Sequence, residues 1–224
     1  MKTVILISAI AEWKAVKPLF PDARIQQFTY GECFSAFVGN HSLGLFHSGW
    51  GKIASAGSMQ YVIDTHSPDL IVNLGTCGGF EGAVQQGDVI LVDQTFVYDI
   101  LELMGDLDIT AYYASSLDLS WLAEPYPHPA RRGMIASADG DLPPEKIPFL
   151  KSQGAIAADW ESAALAWVAQ KNNARLLILR AVSDMVSEQG GEAYDNIEIF
   201  NQRAQGIMEK LVRQLPDWLA AVRS

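Results

Sequence analysis

The chain has 224 residues, a formal net charge of −10, and 49% hydrophobic against 19% charged residues. That composition supports a sizeable core and argues against disorder, and the length allows one large α/β domain or two small ones. The acidic balance argues against nucleic acid or an anionic membrane as partner, because phosphates attract basic faces, but it leaves room for a small anion held by backbone N–H groups. Cys33 and Cys77 are the only cysteines, too few for a disulfide framework, and Met1 to Ile10 reads as a first core strand rather than a leader. No apolar run approaches the roughly 20 residues of a spanning helix. The expectation is a cytoplasmic protein.

Thr3 to Ile7 reads as a buried strand, and Glu12 to Val16 starts a helix that Pro18 and Pro21 limit. Glu12 would sit at the ligand edge of a parallel sheet or serve as a helix N-terminal acid. Phe28 to Val38 and His41 to His47 form a hairpin around Gly39-Asn40. Ser48 to Lys52 is a glycine turn leading into a helix over Ile53 to Thr65, where free N–H groups face an anion. His47 reads as a strand-end or core histidine or as a base. Asp69 to Leu74 is the next strand, which Gly75 to Gly79 terminates, with glycines that let backbone approach a ligand. Cys77 reads as small packing, with no histidine paired to it as for a nucleophile. Val89 to Val92 is a strand, and Phe96 to Asp99 ends the run.

The aromatic stretch Asp106 to Tyr126 reads as a lid, a subunit contact or a surface excursion. Arg131 to Ala136 is a strand, Ser137 to Leu142 a loop, and Lys146 to Lys151 a short helix. Within Ala157 to Asp184, Glu161 opens a helix that is apolar on nearly every side, Asn172-Asn173 breaks it, and Leu176 to Val182 is a strand covered on both faces. Ser183 and Asp184 then lie beyond its carboxyl end, where ligands collect in such sheets. Taken singly, Glu161 and Asp184 also suit helix or turn capping. Met185 to Asn196 reads as a polar loop, and Ile197 to Val222 as a helix kinked or split at Pro216. No repeat or linker interrupts the chain, so one domain over 1–224 is expected. There is no CxxC, HExxH or GxSxG, and the four histidines are dispersed, so neither a metal site nor a serine hydrolase is expected.

NLGTCGGF (Asn73 to Phe80), GDVILVD (Gly87 to Asp93), YD (Tyr98-Asp99), ADWESAALA (Ala158 to Ala166) and RAVSD (Arg180 to Asp184) resemble, in order and spacing, the motifs of the nucleoside phosphorylase/nucleosidase superfamily. The chain is most similar to the bacterial 5'-methylthioadenosine/S-adenosylhomocysteine nucleosidases, and SGWGK (Ser48 to Lys52) looks like that family's glycine turn. The resemblance implies a three-layer α/β/α sandwich with a mixed, partly barrel-like central sheet. It implies cleavage of a purine N-glycosidic bond, with no cofactor and with a second subunit closing the pocket of a homodimer or homohexamer. Asp184 would be the general acid at purine N7, and Ser183 would orient it. Glu161 would grip the ribose hydroxyls, with Trp160 against the sugar. Thr76, Cys77 and Gly78 would lie near sugar and nucleophile, Ile10 would also bind substrate, and Gly140, Asp141 and Leu142 belong to the segment that reads the purine.

Three departures stand out. A gap-free match puts Trp13 on the family's water-activating glutamate, with Glu12 one residue earlier. Asp141 falls where the family stacks an aromatic on the base; it offers an acceptor to an exocyclic amine, or points away. Asn73 replaces the arginine that phosphorylases carry before the glycine loop, which favours water over phosphate, although Lys52 and the Gly49/Gly51 turn remain phosphate candidates. A phosphorylase and a non-catalytic nucleoside-binding protein are the alternative functions.

Overall fold

The computed structural model describes residues 1–105, 108–193 and 196–223. The strands, numbered in chain order, are β1 (Thr3–Ile7), β2 (Gln26–Phe28), β3 (Gly31–Val38), β4 (His41–His47), β5 (Leu70–Phe80), β6 (Val89–Val97), β7 (Ser115–Ser116), β8 (Arg131–Ser137), β9 (Ala155–Asp159), β10 (Leu176–Ser187) and β11 (Gly190–Gly191). The helices are α1 (Ile10–Val16), α2 (Gly51–His66), α3 (Ile109–Tyr113), α4 (Ile147–Ser152), α5 (Ser162–Lys171) and α6 (Ile197–Ala220).

The strands join one mixed sheet in the order β11-β10-β6-β8-β9-β5-β1-β4-β3-β2, and β10 also pairs with β5. That extra pairing closes β5, β10, β6, β8 and β9 into a ring. Within it β5 and β10 are parallel to each other, β6, β8 and β9 run parallel among themselves, and the two groups meet antiparallel at β10–β6 and β5–β9.

Alternation along the strands fills the two larger of three apolar clusters among the described residues. Ile5, Ile7, Leu70, Val72 and Leu74 pack with Trp13 of α1 and with Met208, Leu211, Leu215 and Trp218 of α6. Val4, Leu6, Ile71 and Ile178 face the other way, against Met59 and Val62 of α2 and Leu165 and Ala166 of α5. Side chains at successive strand positions point to opposite faces, so a strand covered on both faces reads as a continuous apolar run. The result is the expected three-layer α/β/α sandwich. No helix among the described residues is long and apolar enough to cross a membrane.

Several boundaries differ from expectation. Gly75 to Gly79 do not end a strand; β5 runs through them to Phe80. The glycines are there because β5 is crowded: a Cβ on Gly75 would fall 1.9 Å from Arg180 Nη1, and one on Gly79 2.6 Å from Val182 and Val84 methyls. Likewise β6 is continuous to Val97, with a register shift between Val92 and Gln94. β10 passes Asp184 and reaches Ser187, then turns back to Gly190-Gly191, where an open loop was expected. Residues 106–107 of the aromatic stretch and 194–195 of that loop lie outside the described residues. Pro216 does not split α6, because apolar anchors on both sides of it, Leu211, Leu215, Trp218 and Leu219, hold one face to the sheet.

Candidate active site

The carboxyl ends of β1, β8 and β9 and the crowded halves of β5 and β10 surround a cavity of about 550 Å³. Glu12, Ser183, Asp184 and Glu161 line it, with Trp160, Thr76, Cys77 and Gly78 beside them and Gly140, Asp141 and Leu142 along another wall. Ile10 is the exception among the expected residues. It is the first residue of α1 and 47% exposed, and its neighbour Ala9 lines the cavity in its place.

The choice between Glu12 and Trp13 is decided by the first turn of α1. Glu12 is buried: its Oε2 accepts the Ala9 N–H (3.1 Å), and its Oε1 accepts both the Thr76 N–H (2.6 Å) and the Thr76 hydroxyl (2.8 Å). Trp13 points into the opposite core, stacked on His47 at 5.6 Å, with its indole N–H donated to Glu32 at 2.7 Å. Adjacent helical positions cannot face the same way, so Glu12 alone reaches the cavity. His47 does not line it, and burial pushes its pKa below the usual imidazole range.

Asp184 projects from a strand that slips register between Val182 and Asp184. The Ser183 hydroxyl lies 2.6 Å from Asp184 Oδ1 and 3.2 Å from the Cys77 carbonyl, which fixes the carboxyl's orientation. Burial raises the Asp184 pKa above the ordinary carboxylate range, against the opposing pull of the Ser183 hydrogen bond and the Arg203 charge. Cys77 is buried, and burial drives its thiol well above the usual range, which disfavours a thiolate nucleophile.

Glu161 is the residue before α5, and its side chain makes no capping hydrogen bond to that helix. Its Oε1 accepts the Gly51 N–H at 3.1 Å, and its Oε2 lies 3.6 Å from Arg180 Nη2. The Arg180 guanidinium is wholly buried; its Nε sits 2.9 Å from Asp159 Oδ2 and 3.0 Å from Ser162 Oγ. Asp159 in turn accepts from Ser137 (2.5 Å) and the Ser162 N–H (3.1 Å). One guanidinium therefore faces the buried carboxyls of Asp159, Glu161 and Glu12, more negative charge than it can balance. Burial raises Glu161 to about 8, Asp159 and Glu12 push the same way, and Arg180 opposes them.

Arg180 and Asp159 stood within motifs quoted above but were given no role. Their signal was an arginine in the middle of the apolar run LLILRAV, since a charge at a fully buried position calls for a partner.

The phosphate candidates are otherwise engaged. The N–H groups at the start of α2 go to carboxylates, Gly51 to Glu161 and Lys52 to Asp139 (2.6 Å), and the Lys52 ammonium is paired with Asp99 and with Asp139 (3.6 Å). Asn73 is buried and donates to the Leu6 carbonyl at 3.0 Å. Trp160 stacks on Trp50 at 5.3 Å, forming an aromatic wall at the cavity edge. Among the described residues, no group of three or more His, Cys, Asp or Glu side chains is arranged to hold a metal ion.

Fold and cavity together define a small-molecule site built from buried carboxyls around one arginine. Residues 6–215 match the family described as the Phosphorylase superfamily, and the chain belongs to it. It is 24% identical to a 5'-methylthioadenosine/S-adenosylhomocysteine nucleosidase of Bacillus cytotoxicus, over 87% of this chain and 90% of that one. It is 27% identical to the nucleosidase of the same name from Buchnera aphidicola, over 80% and 83%. Its fold superposes on the Streptococcus pneumoniae MTA/SAH nucleosidase in complex with 8-aminoadenine with a TM-score of 0.80 at 23% identity, covering 99% of this chain and 100% of that one. For the Neisseria meningitidis enzyme in complex with methylthio-immucillin-A the TM-score is 0.78 at 19% identity, covering 99% and 100%.

Proposed function

We propose that this chain hydrolyses the N-glycosidic bond of a 5'-substituted purine nucleoside of the methylthioadenosine or S-adenosylhomocysteine kind. The observation that carries the reading is the convergence of Asp184, Glu12 and Glu161 on one cavity. Breaking the bond leaves positive charge on the sugar and negative charge on the base. Asp184, whose pKa burial raises, donates its proton to N7 of the departing base in this reading. Glu12, anchored by Thr76, takes the proton of the attacking water. Glu161 accepts hydrogen bonds from the ribose hydroxyls through its carbonyl oxygen, and Glu12 offsets the cationic character of the sugar. Ser183 orients the acid. Trp160 packs on the sugar, and the Gly140 to Leu142 segment meets the base, where Asp141 supplies an acceptor for an exocyclic amine.

Water rather than phosphate as nucleophile is favoured because the amides and lysine at the start of α2 are already committed to Glu161, Asp139 and Asp99. A phosphate there would displace carboxylates at close range.

Trp50, which lines the cavity, is 54% exposed, and Ile53 (87%), Leu101 (77%) and Leu103 (80%) are further exposed apolar side chains. A second copy of this chain covers them in this reading and closes the pocket; sedimentation of the purified protein as a monomer would remove that part. The unbridged Cys33 and Cys77 suit a reducing cytoplasm.

The test is product analysis with methylthioadenosine, S-adenosylhomocysteine, adenosine, inosine and guanosine, each with and without phosphate. Free base without phosphate is expected, and Asp184→Asn is expected to abolish most of it. Base released only with phosphate, as a sugar 1-phosphate is formed, would make the protein a phosphorylase.

A further inference from the structure

The peptide that precedes Asp184 is held from outside the sheet. Along β10, Val182 pairs with Cys77 and Asp184 with Gly78, so Ser183 is an extra residue opposite none. A bulge of this kind re-aims the next side chain and takes its own backbone out of the ladder. The Ser183 carbonyl is met by two side chains, Gln86 Nε2 at 3.1 Å and Arg203 Nη1 at 3.0 Å. Gln86 belongs to the turn before β6, which is itself bonded to the residue ahead of the bulge: Gly87 N–H donates to the Val182 carbonyl and Val182 N–H to the Asp88 carbonyl, each at 2.9 Å.

Arg203 comes from α6. Its Nη1 is also 3.0 Å from Glu192 Oε2. Glu192 lies just past the β10–β11 turn and returns to the strand, its N–H donating to the Met185 carbonyl at 3.1 Å and its carboxylate accepting the Met185 N–H at 3.4 Å. The Arg203–Glu192 pair is partly open to solvent, with side chains 28% and 49% exposed, so as an ion pair it contributes little. The bond to the Ser183 carbonyl is charge-assisted and fixes a peptide whose neighbour must be placed to a fraction of an ångström.

We propose that Arg203 is a positioning residue for Asp184: it clamps the Ser183 carbonyl so that the bulge directs the Asp184 carboxyl into the cavity, and through Glu192 it ties the turn at the cavity mouth to that same peptide. The proposal rests on reading Asp184 as the general acid. The two charges that act on Asp184 from these elements are Arg203, which favours its ionised form, and Glu192, which opposes it. Removing Arg203 therefore raises the pH at which Asp184 gives up its proton, and neutralising Glu192 lowers it.

The experiment compares wild type, Arg203→Met, Arg203→Gln and Glu192→Gln. It measures kcat, KM and the alkaline limb of kcat, and it follows the Asp184 carboxyl directly by carbon-13 NMR of aspartate-labelled protein, assigned with Asp184→Asn. A misplacement of about 1 Å costs on the order of 10²-fold in rate, so Arg203→Met is expected to lower kcat roughly 10- to 100-fold with KM nearly unchanged. The alkaline limb should move to higher pH. Arg203→Gln keeps a donor for the Ser183 carbonyl without the charge; it should recover most of kcat yet keep the shifted limb. Should Arg203→Met fail to fold, Arg203→Gln and Glu192→Gln decide through opposite shifts of the limb. A kcat and a limb equal to wild type, with only the melting temperature lowered, would overturn the proposal. The carboxyl titration keeps the two readings apart. A wild type that releases no base overturns the function, whereas an Asp184 titration unmoved by Arg203→Gln overturns the role of Arg203.

Discussion

Glu12 Oε1 takes both hydrogen bonds that Thr76 has to give, the backbone N–H at 2.6 Å and the hydroxyl at 2.8 Å. A carboxylate so bound keeps its second oxygen, held by the Ala9 N–H, and its orientation toward the cavity. Glu12→Gln preserves the shape and removes the base. Turnover should fall by about 10²–10⁴-fold, the usual worth of general base catalysis, while a substrate analogue still binds in calorimetry. Thr76→Val deletes only the hydroxyl bond; a hydrogen bond to a charged group is worth about 1.5–3 kcal/mol, so thermal stability drops and turnover falls less than with Glu12→Gln. Full turnover in Glu12→Gln would remove Glu12 from the mechanism.

Trp13 supplies the converse case. Its indole N–H bonds Glu32, which also meets Lys17 at 2.7 Å, and the ring lies in the core against Phe34 and His47. Trp13→Phe keeps most of the apolar contact and leaves Glu32 one donor short. Unfolding experiments should show a loss of about 1–3 kcal/mol, with kcat within about threefold of wild type because nothing on the cavity side changes. A kcat loss as deep as that of Glu12→Gln in folded Trp13→Phe would contradict the orientation of α1.

The shifted Glu161 makes stability depend on pH. Its carboxyl titrates near 4.5 when unfolded and at about 8 in the folded chain. Between those values the folded state holds the proton more tightly, so stability falls as pH rises, by up to about 1.4 kcal/mol per pH unit from this group. Below the unfolded value the penalty is absent; above the folded value it is complete. Glu161→Gln should flatten the decline of the urea midpoint between pH 5 and 8 and weaken nucleoside binding at the same time. A decline as steep in Glu161→Gln as in wild type would assign it to other groups.

Much of this site was readable in the chain because its acids sit next to strong punctuation: Glu12 after a short apolar strand, Asp184 after a long one, Glu161 at the start of an alanine-rich helix. What was not readable depends on distant partners. Glycines at 75, 78 and 79 look like a turn until the side chains of Arg180, Val186 and Val182 are seen to fill the space above them. Ala155–Asp159 has too little β-branching to announce a strand, and becomes one by pairing with β8 and β5. The extension of β10 past Asp184 is likewise set by its partners, Gly78 to Phe80 and the Gly190-Gly191 return.

Gly75 shows how little slack that crowding leaves. It pairs directly with Arg180 across β5 and β10, and an added Cβ would lie 1.9 Å from Arg180 Nη1 and 2.9 Å from Glu12 Oε1. An arginine side chain on the surface would swing aside, but this one is fully buried and fastened to Asp159 and Ser162. Gly75→Ala should therefore cost about 1–3 kcal/mol as an overpacked core does, and kcat should fall at least about tenfold as the guanidinium is pushed against Glu12 and Glu161. Gly206→Ala is the matched control. Gly206 lies on the exposed side of α6 with nothing within 4 Å of a new Cβ, so the same methyl group should stabilise the protein by up to about 1 kcal/mol through helix propensity and leave kcat unchanged. Opposite signs in thermal unfolding, with activity lost only in Gly75→Ala, would tie that loss to the arginine beneath it; equal effects of the two substitutions would mean that β5 relaxes and the space around Arg180 is not the constraint.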